Sequence, residues 1–95
     1  MNHNVYTIGE VARVSTVFRD QSGAYIDPTE VHLIVQDPTG FEAAKTPVTR
    51  DDTGHYHFDV DADRPGRWYY RWYSLGTGKA ADEGSFVVKE SKFSV

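Results

Sequence analysis

Residues 55–73 constrain the fold more than any other stretch of the chain. Tyr56, Phe58 and Val60 alternate with His55, His57, Asp59 and Asp61. After Ala62-Asp63-Arg64-Pro65-Gly66 the alternation resumes, with Trp68, Tyr70 and Trp72 set against Arg67, Tyr69, Arg71 and Tyr73. A period of two sends successive side chains to opposite faces of an extended backbone, so each run reads as a strand with one apolar and one polar face. Proline removes a ladder donor and glycine admits tight backbone geometry, so Pro65-Gly66 separates the runs. The expected arrangement is an antiparallel pair joined by a tight corner, with the rest of the chain covering its apolar face.

The rest of the chain carries the same signature. Val5-Tyr6-Thr7-Ile8 is β-prone and stops at Gly9. Ala12, Val14, Thr16 and Phe18 then form an inward face, opposed by Val11, Arg13, Ser15, Val17 and Arg19. Turn signals follow at Asp20-Gln21-Ser22-Gly23 and Asp27-Pro28-Thr29, with Ala24-Tyr25-Ile26 as an extended link. Val31, Leu33 and Val35 face inward before Asp37-Pro38-Thr39-Gly40 reverses the chain. Residues 41–46 read as an edge strand or an irregular link, because Pro47 argues against a central strand. Val48-Thr49-Arg50 is extended, and Asp51-Asp52-Thr53-Gly54 turns into the central stretch. Leu75-Gly76-Thr77-Gly78 reads as a hairpin loop, and residues 79–89 as a last strand with Gly84, Phe86 and Val88 inward. Gly84 marks either a bulge or a point where a tryptophan ring crosses the backbone. About seven strands, turns every 8–12 residues and no helix indicate an all-β antiparallel sandwich. At 95 residues the chain makes one domain, residues 1–95, with 1–4 and 90–95 as flexible tails.

Composition narrows the functional classes. No cysteine is present, which removes a disulfide framework and a cysteine-ligated zinc site. Met1 is followed by Asn-His-Asn-Val-Tyr, with neither a basic nor an apolar leader segment, so no signal peptide is expected and folding is expected in the cytoplasm. No apolar run approaches the ~20 residues of a membrane span. The net charge is −4 with both signs interspersed. A nucleic-acid partner calls for a basic stripe that this chain lacks.

Several residue groups invite a chemical reading. Asp59, Asp61 and Asp63 have the spacing of the first ligands of a calcium loop, but Arg64 and Tyr70 stand where that loop needs Gly and Glu. They read instead as a solvated strand face and turn. His55 and His57 share a face with Asp59, as a metal pair would, yet His3 and His32 cannot be placed beside them from sequence. A polar face, solvated or packed on a neighbouring subunit, is the simpler reading, and no metal or other cofactor is expected. No Gly-x-Ser-x-Gly elbow is present, and Gly76-Thr77-Gly78-Lys79 lacks the spacing and helix of a phosphate loop. The chain reads as a non-enzyme. Tyr69, Arg71 and Tyr73 form the outward face of a central strand. Tyrosine and arginine are enriched at interfaces, while an aromatic cross-strand ladder with Arg71 stacked on a ring would also account for them. The candidate interface residues are Tyr69, Arg71, Tyr73, His55 and His57.

Particular motifs resemble a known group. They are Tyr6-Thr7-Ile8-Gly9-Glu10, Phe18-Arg19-Asp20 with Gly23, Asp27-Pro28-Thr29 and Val35-Gln36-Asp37-Pro38-Thr39-Gly40 in the first half. The second half adds Asp52-Thr53-Gly54-His55-Tyr56, Pro65-Gly66-Arg67-Trp68-Tyr69-Tyr70-Arg71-Trp72 and Glu83-Gly84-Ser85-Phe86-Val87-Val88. Together they resemble bacterial immunoglobulin-like and macroglobulin-like domains, and the whole chain is similar to short structural proteins of tailed bacteriophages and prophages. The resemblance implies an immunoglobulin-like sandwich and a virion component: a head decoration, head–tail neck or tail accessory protein. The implied partners are other virion proteins of capsid, neck or tail, with a possible homo-oligomer, and the implied site of assembly is the bacterial cytoplasm. A carbohydrate- or cell-surface-binding module is the alternative. It requires a solvent-facing aromatic platform, and it weakens if Trp68 and Trp72 are both buried.

Overall fold

The computed structural model describes residues 5–76 and 81–90. The tail expected at 1–4, all but Glu90 of the tail expected at 90–95, and the loop residues 77–80 lie outside the described residues. The strands are β1 (Val5–Thr7), β2 (Val11–Val17), β3 (Glu30–Gln36), β4 (Glu42–Ala44), β5 (Thr49–Asp52), β6 (His55–Asp61), β7 (Gly66–Leu75) and β8 (Ala81–Lys89). They form a five-stranded sheet, β1-β8-β7-β3-β4, and a three-stranded sheet, β2-β6-β5. One strand more than expected appears because Glu42–Ala44 pairs with β3 as an edge strand. The sandwich is not wholly antiparallel: β1 runs parallel to β8. Among the described residues no helix is long and apolar enough to cross a membrane.

The central stretch departs from expectation in one decisive respect. β6 and β7 are not paired with each other; they belong to opposite sheets. The backbone shows why. Ala62, buried, donates to Glu10 O at 3.0 Å and accepts from Gly9 N–H at 2.9 Å, so the chain stays beside β2 one residue past β6. Asp63-Arg64-Pro65 then crosses to the other sheet, and Trp68 Nε1–H secures the crossing by donating to Arg64 O at 3.1 Å. Gly66 opens β7 against Pro38; a Cβ there would lie 2.7 Å from the proline Cβ. The apolar faces of the two runs therefore meet across the core rather than standing side by side.

Burial follows the alternation closely. Ala12, Val14, Thr16 and Phe18 on and just beyond β2 are buried, as are Leu33 and Val35 on β3 and Phe86 and Val88 on β8. Trp72 is fully buried and Trp68 is 6% exposed. Phe86 is the hub of the aromatic cluster: Trp68 stacks on it at 5.7 Å, and Tyr6 meets it edge-on at 5.6 Å. Phe18 and Tyr56 pack edge-to-face at 5.8 Å at the other end of the core. Gly84 is not a bulge, since the β7–β8 register is unbroken from Gly66↔Val88 to Tyr73↔Ala81. A ring does cross it, but the ring is that of Tyr70, its directly paired neighbour, and not a tryptophan; a Cβ on Gly84 would lie 2.5 Å from Tyr70 Cζ.

Candidate functional site

The sandwich has two outer faces, and the five candidate residues divide between them. Tyr69, Arg71 and Tyr73 lie on the outer face of the five-stranded sheet, flanked by β3 and β8. Tyr73 stacks on its cross-strand partner His32 at 5.0 Å and 19°. Among the described residues no ring stacks on Arg71; its Nη1 donates to Glu83 Oε2 at 2.7 Å, directly across the β7–β8 pair. Both groups of that ion pair are more than half exposed, so it orients the guanidinium more than it stabilises the fold. Tyr69, 50% exposed, stands between Gln36 and Ser85. Together with Ile34, Gln36, Glu42, Arg71 and Ser85 it borders an open depression of about 490 Å³. This face offers a shallow, amphipathic surface with Ile34 in its lining and two oriented cations, Arg71 held by Glu83 and Arg67 donating to Ser85 Oγ at 3.1 Å.

His55 and His57 lie on the opposite outer face, that of the three-stranded sheet, because β6 pairs there with β2 and β5. His57 Nδ1–H donates to Asp51 Oδ2 at 2.6 Å. His55 Nδ1–H donates to Thr53 O at 2.9 Å, and its ring lies 4.5 Å from that of Tyr25. The Arg19 guanidinium covers the other ring of this group, 4.3 Å from the Tyr25 centroid. Asp59 does not turn toward the histidines. Arg13 grips it through Nε at 2.8 Å and Nη2 at 3.1 Å, and this bidentate bond holds the Asp59 carboxyl below its ordinary range. Among the described residues no three His, Asp or Glu side chains converge as a bound metal ion would require.

A polar node lies apart from both sets and was not legible in the sequence, where Asp27 reads only as part of a turn. The Asp27 carboxylate accepts from Arg50 Nε at 3.1 Å, from Gly54 N–H at 2.9 Å and from Tyr56 Oη–H at 2.9 Å. The Arg50 bond, then the Gly54 bond, hold this carboxyl far below the usual carboxylate range. Burial, and then its bond to the Asp27 carboxylate, push the Tyr56 hydroxyl up. The node ties the loop before β3 to the β5–β6 hairpin. Its partners are 23 to 29 residues away, a separation no local pattern reveals.

No family model matches the chain. It is 29% identical over 90 residues to proteins named alpha-2-macroglobulin in two strains of Xylella fastidiosa. The match covers 92% of this chain and 6% of those proteins, so the chain spans only a small part of their length. Among solved structures, the Lin-41 filamin domain superposes with a TM-score of 0.71 at 14% identity, over 90% of this chain and 83% of that one. At that identity the likeness establishes fold alone: this is an immunoglobulin-like β-sandwich.

Proposed function

We propose that the chain is a non-catalytic immunoglobulin-like module acting through protein–protein contacts, as a head-decoration, neck or tail accessory protein of a tailed phage or prophage particle. The outer face of the five-stranded sheet carries this reading. Tyr69 is half exposed beside the Arg71 guanidinium, with Ile34 in the same depression, and tyrosine and arginine are residue types on which interface energy concentrates. The virion assignment rests on the resemblance of the turn and core motifs to those short structural proteins. The sugar-binding alternative loses its tryptophan platform, since Trp68 and Trp72 both lie in the core. Mass spectrometry of purified particles from the strain that encodes the chain tests the assignment. Its peptides are expected at the copy number of a structural component; their absence from particles that otherwise assemble overturns it.

The likeness to alpha-2-macroglobulin favours one second reading, a module within a longer macroglobulin-type chain. An immunoblot of the native source separates the two. The virion reading gives a band near 10.7 kDa, and the modular reading gives one far larger.

A further inference from the structure

Strand β2 lies at one edge of the three-stranded sheet and is bonded on one side only. Phe18 N–H donates to Gly54 O at 2.8 Å, and Ala62 N–H donates to Glu10 O at 3.0 Å. Both contacts use even-numbered residues of the β2 side, so in this antiparallel ladder the even positions bond to β6. The N–H and C=O groups of Val11, Arg13, Ser15 and Val17 therefore point away from β6 into the open edge. Among the described residues no strand pairs with them.

The other edges are blunted in the ways that suppress edge pairing. β1 and β4 are three residues long. β5 carries Asp51 and Asp52 and a register shift between Arg50 and Asp52. β2 has seven residues in unbroken register, no proline and no bulge. Its one charge, Arg13, is already matched by Asp59.

We propose that β2 pairs with β2 of a second copy of this chain, antiparallel across a two-fold axis, joining the two three-stranded sheets into one. Val11-Ala12-Arg13-Val14-Ser15-Thr16-Val17 carries valine at both ends and at its centre. In the register centred there, Val11 meets Val17 of the second copy, and these are the two apolar side chains that β2 leaves exposed, at 55% and 45%. Arg13 meets Ser15. A shift of the centre to Arg13 would set Arg13 against Arg13, and a shift to Ser15 would set Val11 against Arg19 and Arg13 against Val17. Like charges directly opposite are destabilising, so charge and apolar matching select the same register. Two short strands bury less than the ~1,200 Å² of stable complexes, so association belongs to high concentration or to the local density of an assembly. The pairing does not depend on the virion reading.

Sedimentation velocity of the full chain across a concentration series, with amide exchange on the same samples, tests this. The mass rises toward the dimer, and the Arg13 and Ser15 amides slow in step with it. Ser15→Pro removes an N–H that β6 does not use, so the fold persists while association weakens at least about tenfold, the equivalent of ~1.4 kcal/mol. Ser15→Lys sets a second cation against Arg13 and weakens association; Ser15→Glu sets a carboxylate there and tightens it. Both effects shrink with added salt. If Ser15→Pro unfolds the domain, the Lys and Glu variants decide. A monomer with fast Arg13 and Ser15 amides throughout, or Lys and Glu variants that shift association in the same direction, overturns the proposal. So does protection of these amides that arises only on adding a different protein.

Discussion

Replacing Gly54 with alanine probes how tightly the β5–β6 turn is clamped to the loop that carries Asp27. Gly54 has φ +76°, a left-handed conformation that costs an L-residue roughly 1–2 kcal/mol. Its added Cβ would lie 2.6 Å from Phe18 O and 3.0 Å from Ile26 O, both backbone atoms that cannot swing aside. Phe18 O is also the acceptor for Ile26 N–H, so relief of the clash strains that bond and the Gly54 N–H bond to Asp27. Overpacking of this kind costs about 1–3 kcal/mol. The sum is a loss of roughly 2–5 kcal/mol. At about 4–8 °C per kcal/mol for a domain of this size, it lowers the melting temperature by on the order of 10–40 °C. Gly23→Ala is the control: its φ is +90°, but no heavy atom lies within 4 Å of the added Cβ, so only the backbone cost applies. Urea and thermal unfolding of both variants measure the difference. If Gly54→Ala costs no more than Gly23→Ala, the loop yields to the methyl group and the clamp does not exist.

Acid should unfold the domain in a way that depends on Asp27. Its folded pKa lies below the unfolded value of about 3.9, so its stabilising contribution is complete above that value and is lost as pH falls toward the folded one. Asp20, Asp37 and Asp59 are shifted in the same direction, so the melting temperature should fall steeply below pH ~4. Asp27→Asn is expected to flatten that acid limb, and an unchanged slope would contradict the assigned partners. Trp72→Ala should cost about 3–5 kcal/mol in urea unfolding, because the ring is fully buried and its removal leaves a cavity. Tyr69→Ala should leave stability within about 0.5 kcal/mol, yet reduce retention of the protein on particles; full retention would move the interface elsewhere.

Much of the fold was legible in the chain. The inward positions Ala12, Val14, Thr16, Phe18, Leu33, Val35, Trp68, Trp72, Phe86 and Val88 follow from alternation alone, because a period of two depends only on the backbone. The Asp37–Gly40 reversal was equally local: Gly40 N–H donates to Asp37 O at 3.0 Å, and the Asp37 side chain accepts from Thr39 N–H at 2.9 Å. The candidate surface was legible residue by residue and not as a whole. Tyr69, Arg71 and Tyr73 do face outward together, but His55 and His57 face outward on the other side of the molecule. The unblunted edge at β2 and the Asp27 node depend on partners remote in sequence, so no periodicity announces them.

The two runs around Pro65-Gly66 mark the boundary between what the amino-acid order determines and what it leaves open. Their strand character, their apolar faces and the break between them are properties of the sequence. Whether they lie side by side in one sheet or face each other across a core is not, because both arrangements have the same alternation. Tertiary structure decided it through Ala62, whose backbone bonds to Gly9 and Glu10 hold the end of β6 against β2. With β2 on one flank of β6 and β5 on the other, no place beside β6 is left for β7, and the following residues cross to the opposite sheet. That crossing turns Tyr56 and Val60 toward Trp68 and Trp72, and it sends the polar residues of the two strands to opposite outer faces.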